Sequence, residues 1–439
     1  MPQRKGCSRS PRSCRIAFMR IYRLENAVQR YAWGSVDGIT KVLGIPNPGG
    51  GPLAEVWMGA HPSAPSTALV DGAKIGLDEL VRSDPEAVLG REVVDMLGPS
   101  LPFLFKVLSA GTPLSIQAHP SKRKAQLGFE RENLSGIPVD GPERCYRDPN
   151  HKPEMAIALT RFELVCGFRP VEEIIENMRL VAPGEFARAL DRLERDPSRV
   201  ELSVFFYSLI SANERAQGQL LAAAAKGVRA TLDGGKVPAG RIGAFEWVLK
   251  IMDFFPGDVG AVLPLVLNHI VLEPGEAAFV APGELHAHLA GTCLEIMANS
   301  DNVIRGALTK KFVDLPELVS VLSFNPEGVP PVLPSSVAPC EESYPTFVPD
   351  FEISKVSVGK DRTYHRRTRK PEILLCVSGE AEIRCPAKGQ GSEGYEPLAL
   401  SRGEAAFVCA DACDYELRAR AKGGADEAVV YRASVPDLP

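Results

Sequence analysis

Between residues 102 and 120 the chain reads PFLFKVLSAGTPLSIQAHP, short apolar runs cut by Gly and Pro. That rhythm predicts β-strands. From Val171 the spacing changes: Val171, Ile174, Ile175 and Met178 recur at three and four residues, and QGQLLAAAAKGVRATL and AFEWVLKIMDFF continue the pattern. This period predicts a helical insertion over residues 171–255. Strand-like runs return in LPLVLNHIVLEPGEAAFVAPGELHAHL, a Pro-rich stretch at 325–345 reads as a linker, and strands resume from about 350. The expected fold is mainly β with a helical insertion. A first β unit spans 19–170 and 256–330, and a second spans 331–439.

The hexapeptide GEAAFV occurs at Gly275–Val280 and again at Gly403–Val408, with an apolar-x-x-Gly-Glu opening both times. A strand entered and left through turns is the building step of antiparallel barrels and jelly rolls. Two jelly-roll β-barrel units are therefore expected. On the common offset, His286 and His288 of the first copy stand against Asp414 and Glu416 of the second. One unit is furnished for chemistry and the other is bare.

A chain of 439 residues is long enough for two or three packed units. Hydrophobic residues at 45% and charged residues at 24% suit a globular protein, and no run is long enough to span a bilayer. The net charge of −5 argues against nucleic acid as a partner, because phosphate-backbone binding leaves a basic footprint. A small anionic ligand needs only a few local cations. The ten cysteines form no CxxC pair, and even the closest spaced, Cys409 and Cys413, read as thiols of a reducing cytoplasm. The basic, Ser-rich opening lacks the apolar core of a secretory signal, and residues 1–18 read as a disordered extension ahead of Met19.

Four stretches carry candidate chemistry. His286 and His288 are two apart in a short strand, so both rings share a face and can hold a metal, or one can be a ligand and the other a wall. A solvated polar face is the plain alternative. With Glu295 on the next apolar segment they outline the metal motif of cupins, at a longer gap. In SIQAHP, Ser115, Gln117 and His119 point one way while Ile116 and Ala118 point the other, and Pro120 ends the strand. In DPNHKPEMAIALT, Glu154 opens an apolar strand as a hard ligand suited to zinc, and Lys152 beside it is a candidate base. His151 completes that set, which otherwise reads as a charged turn. In NSDNVIRGALTKKFVD, Asp301, Arg305, Lys310 and Lys311 cluster. Arg305 within an apolar run calls for an anion, or else for a salt bridge with Asp301.

Taken in order, VQRYAWGS, AEVWMGAHPSAPS, LSIQAHPSK, DPNHKPEMAIALT, CGFRP and LEIMANSDNVIRGALT resemble the type I phosphomannose isomerases over most of residues 19–325. The resemblance implies a cupin-like catalytic β-barrel, followed by a metal-free cupin-like unit. It implies one Zn²⁺ per chain on Gln117, His119, Glu154 and His286, and an active-site Arg at Arg305. Trp33, Ser115, Lys152, Glu295, Asp301 and Lys311 match other pocket positions of the family. The reaction implied is the interconversion of mannose 6-phosphate and fructose 6-phosphate through a cis-enediolate.

Two departures stand out. His288 occupies a position where the family commonly has Tyr, so it is read as a substrate-side neighbour of the ligand His286. RGALTKK replaces the family's RAGLTPK, with Lys311 kept in register. The C–H base is open between Lys152, Glu295 and a metal-bound hydroxide, and Asp301 is a candidate for ring opening. Ser115 and Lys311 are the expected phosphate contacts. A cytoplasmic monomer is expected, with no membrane partner. The alternatives are a cupin dioxygenase with iron on His286 and His288, and a non-catalytic sugar-phosphate-binding protein.

Overall fold

A computed structural model describes residues 21–438 apart from 71, 183, 185, 368, 386–395, 413 and 421–425. The expected extension at 1–18 and Cys413 lie outside the described residues.

The strand Phe103–Ala110 shows how alternation builds the molecule. Phe103, Phe105 and Val107 face one apolar cluster, whereas Leu108 and Ala110 face another on the opposite side. It lies within a ten-stranded antiparallel sheet, between His286–Ala298 and Glu55–Met58. The histidines do not sit in a short strand with Glu295 on a separate segment. One thirteen-residue strand, His286–Ala298, carries all three. His288 pairs with Leu164 and Ala290 with Glu163, which leaves Leu289 as an extra, bulged residue. The bulge reverses the alternation, so His288 before it and Glu295 after it face the same cavity.

The second large sheet has nine strands. Six come from residues 335–434, and Ile21–Glu25, Thr67–Val70 and Ala73–Gly76 complete it from the other end of the chain. The second β unit is thus not made of 331–439 alone, because Ile21–Glu25 pairs along the edge of Ala405–Val408. Within the Pro-rich stretch, Ser335–Ala338 and Glu341–Tyr344 pair as a hairpin, so it is more than a linker. Phe105, Val107, Leu294 and Ile296 of the first sheet pack on Ile373, Leu375 and Phe407 of the second.

Among the described residues, five helices occupy the stretch from Val171–Val181 to Ile242–Phe254, as the period predicts. Glu163 fastens the last of them to the sheet, accepting from Trp247 Nε1 at 2.7 Å and meeting His269 Nε2 at 2.9 Å. The helix Lys122–Leu134 was not foreseen. It buries only Ala125, Gly128 and Glu132, too few positions to give an apolar period.

The two copies of GEAAFV both form strands, Ala277–Val280 and Ala405–Val408. Val280 pairs with Glu154, and Val408 pairs with Glu372. Strand register therefore equates Glu372 with Glu154. The simple offset fails beyond the hexapeptide: Asp414 is exposed, and Glu416 meets Arg418 at 2.7 Å and His365 at 3.2 Å. Tyr415 between them is buried and donates to Glu372 Oε2 at 2.7 Å. A shift of one residue in a strand exchanges its faces. Beside Glu372 lies the buried Arg432, whose guanidinium is 3.2 Å from Glu372, 2.9 Å from Glu352 and 2.8 Å from Glu341.

Candidate active site

Cross-strand register assembles one wall. Gln117 pairs with His286 on one side and with Arg305 on the other, and directly opposed residues share a face. Ile116 and Ala118 are fully buried in the core behind them. In front lies a cavity of about 300 Å³. Its walls include Ser115, Gln117, Lys152, Glu154, His286, His288, Glu295, Asp301, Arg305 and Lys311. Trp33 and Lys310 stand in an adjoining cavity of about 570 Å³ that shares Ser115, Gln117, Arg305 and Lys311 with the first. His151 turns away, its Nε2 2.8 Å from Asp350.

At the cavity floor, ligand atoms of His119, Glu154 and His286 lie within 4.8 Å of one another, all three residues buried. Glu154 Oε1 is 3.2 Å from His119 Nε2, and Oε2 is 3.3 Å from His286 Nε2. His119 Nδ1 donates to the Asn302 carbonyl at 2.7 Å, and His286 Nδ1 to that of Glu284 at 3.0 Å. A carbonyl can only accept, so each ring carries its proton on Nδ1 and turns a lone pair on Nε2 inward. Both Nε2 atoms are buried without a hydrogen-bond partner. Burial pushes His119 down to about 4, which keeps it neutral. Burial works against the charge of Glu154, but His119 and Lys152 outweigh it and hold the carboxyl well below its ordinary value. Burial also opposes the charge of His286, but Glu154 outweighs it and raises that ring above its ordinary value. Two imidazoles that turn Nε2 toward an ionised carboxylate, beside the Gln117 amide, fit a zinc ion. His288 is outside this group, with Nδ1 3.7 Å from Glu295, so the pair of histidines required by the dioxygenase alternative does not converge.

Lys106 enters from the facing strand. Its ammonium is 2.5 Å from Glu295 and 3.2 Å from Glu55, and all three are buried. Burial opposes its charge, yet Glu295 and Glu55 overcome that and raise it above its ordinary value. Glu295 is therefore already committed to a cation. The signal for Lys106 was a lone Lys in the apolar run PFLFKVLS. Asn302, also missed, is fully buried; it accepts from the Arg147 N–H at 2.7 Å and donates to the Asp148 and Asn150 carbonyls at 2.8 Å. It locks the loop before Lys152 to the one after Asn299.

Arg147 is a third missed residue. It lines the cavity with Arg305 and Lys311, and among the described residues no carboxylate lies within ion-pair distance of any of the three. Arg305 is depressed by burial and then by Arg147; Lys311 is depressed by burial and then by both arginines. The expected alternative of an Arg305–Asp301 salt bridge is absent, since Asp301 meets His61 at 3.4 Å instead. Three mutually repelling cations on one wall favour a multiply charged anion.

A family model for the phosphomannose isomerase type I catalytic domain matches residues 21–171. Mannose-6-phosphate isomerase of Salmonella typhimurium is 38% identical over 393 residues, spanning 89% of this chain and 95% of that protein. The Homo sapiens enzyme of the same name is 34% identical over 420 residues, with coverage of 90% and 95%. A crystal structure of the Salmonella typhimurium enzyme bound to substrate and zinc has a TM-score of 0.82 at 36% identity, covering 95% of this chain and 99% of that one.

Proposed function

The chain belongs to the type I phosphomannose isomerase family, and from that premise we propose that its cavity interconverts mannose 6-phosphate and fructose 6-phosphate through a cis-enediolate. The observation that carries the proposal is the meeting of two orphaned imidazole nitrogens and an ionised Glu154 in the cavity that also holds three unpaired cations.

Gln117, His119, Glu154 and His286 hold one zinc ion. When bound, zinc supplies Lewis-acid charge that stabilises negative charge developing on the sugar oxygens. Arg305, across from Gln117, adds fixed positive charge for the enediolate and stays protonated at any working pH. Lys152 and Glu295 are the cavity groups able to exchange a proton between C1 and C2. Glu295 shares its carboxylate with Lys106 at 2.5 Å, and Lys152 lies 3.4 Å from Glu154, the longer of the two ion pairs. His288 faces the substrate with a buried, unpartnered Nε2. Lys311, Arg147 and Ser115 receive the 6-phosphate, and Trp33 lines the approach. The enzyme so proposed is a cytoplasmic monomer acting on a small sugar phosphate.

A coupled assay for fructose 6-phosphate formed from mannose 6-phosphate tests this reading. Activity should vanish with a chelator and return with zinc; a purified, zinc-loaded protein without turnover would sink it. Arg147→Ala should lower kcat/KM for mannose 6-phosphate by roughly 10- to 100-fold, chiefly through KM, because a charge-assisted contact to an anion is lost. Steady-state kinetics with a parallel zinc assay check this, and an unchanged KM removes Arg147 from the phosphate site.

A further inference from the structure

His61 lies in the turn after Glu55–Met58 and does not line the cavity. It is buried and packs edge-on against Trp57, with ring centroids 5.0 Å apart. The Ser63 backbone N–H donates to His61 Nδ1 at 3.3 Å, and the Ser63 hydroxyl lies 2.7 Å from the same atom. A ring nitrogen that accepts an N–H carries no proton. The imidazole proton is thereby assigned to Nε2, the atom that faces Asp301 Oδ1 at 3.4 Å.

Asp301 does reach the cavity, with its side chain about half exposed. Its own N–H donates to Asp148 Oδ2 at 2.7 Å, which fixes the backbone but leaves the carboxylate free to turn. The charges around that carboxylate are Asp148, Lys152 and Arg147. His61 is the group that grips it from behind.

We infer that His61 is a positioning residue that holds the Asp301 carboxylate aimed into the cavity for opening of the sugar ring. The inference rests on the isomerase reading above. In that step Asp301 accepts the proton of the O1 hydroxyl. The O–H electron pair forms the C1=O bond, the C1–O5 pair leaves on O5, and the proton is returned to O5. O1 and O5 share C1, so one fixed carboxylate serves both, and a rotating one serves neither well. The close contact with His61 also draws Asp301 below its ordinary value against the effect of burial, which keeps it a proton acceptor.

The test is a double-mutant cycle with mannose 6-phosphate carrying hydrogen or deuterium at C2. His61→Leu should lower kcat roughly 10- to 100-fold with little change in KM and with zinc content unaltered. His61→Gln, which keeps an N–H near the position of Nε2, should recover most of it. In an Asp301→Asn background His61→Leu should add nothing. The deuterium effect on kcat/KM should fall toward unity in both single variants, because ring opening then limits the rate. A His61→Leu loss that persists in the Asp301→Asn background, or an unaltered isotope effect, overturns the inference while leaving the isomerase reading intact. If His61→Leu fails to fold, the same comparisons with His61→Gln decide. A wild-type protein that does not isomerise the sugar overturns both.

Discussion

Glu154→Ala is expected to strip the protein of zinc and to lower isomerase turnover at least about 10³-fold, a loss of roughly 4 kcal/mol of transition-state stabilisation. Glu154 is the only anion among the buried ligand atoms, set 3.2 and 3.3 Å from two imidazole nitrogens that have no other partner. Its removal takes away both a donor atom and the negative charge that balances a dication. It also leaves Lys152, 3.4 Å away, without its counter-ion, so added zinc would enter a site of net positive charge. Metal content by atomic emission, measured beside turnover, separates this from simple unfolding. His288→Ala is the companion variant and should keep its zinc. A Glu154→Ala protein with one zinc per chain and normal rates would remove Glu154 from the ligand set.

Arg432→Met should destabilise the fold by about 3–5 kcal/mol, the usual cost of breaking a buried ion pair by deleting one partner. Arg432 is buried within 3.2 Å of three glutamates, and Glu372 among them is fully buried. Burial opposes its charge, but Glu372 and Glu352 prevail, so the guanidinium stays ionised and its loss strands those carboxylates. Arg366 at 3.0 Å and Tyr415 at 2.7 Å would remain on Glu372 and soften the effect. Urea unfolding of the variant measures it. Combining Arg432→Met with Glu372→Gln and Glu341→Gln should restore part of the loss, because the uncompensated charges are then gone. An Arg432→Met protein as stable as wild type would show that this cluster contributes nothing net. Zinc content of the folded variant should be unchanged, since the cluster belongs to the other sheet.

The second GEAAFV copy thus takes on a different meaning. At the register position where Glu154 faces the two histidines of the candidate metal site, Glu372 faces a guanidinium. Both units place a carboxylate beside a cation-binding space at the same point of the strand pair. One is arranged to take an ion from solution, and the other carries its cation on its own chain.

The candidate site was legible where local periodicity carries information. In SIQAHP the two-residue alternation alone separates Ile116 and Ala118, which enter the core, from Ser115 and Gln117, which line the cavity, and His119, which joins Glu154 and His286. The helices of 171–255 were legible for the same reason. Lys106, His61, Arg147 and Asn302 were not, because each is a single polar residue whose meaning lies in a distant partner: Glu295, Asp301, Arg305 and the Asp148 loop. The bulge at Leu289 was hidden too, since nothing in HAHLAGTCLEIM marks an extra residue, and it alone turns Glu295 toward His288.

By itself, then, the sequence determined the strand and helix types, the faces of the short strands, and the residue kinds able to bind zinc and phosphate. These depend on spacing within a few residues, which the backbone period converts directly into direction. Tertiary structure decided which strands lie side by side, that Ile21–Glu25 completes the far sheet, and which charges meet. Those outcomes follow from register and burial between remote segments, where a shift of one residue changes a ligand into a surface group.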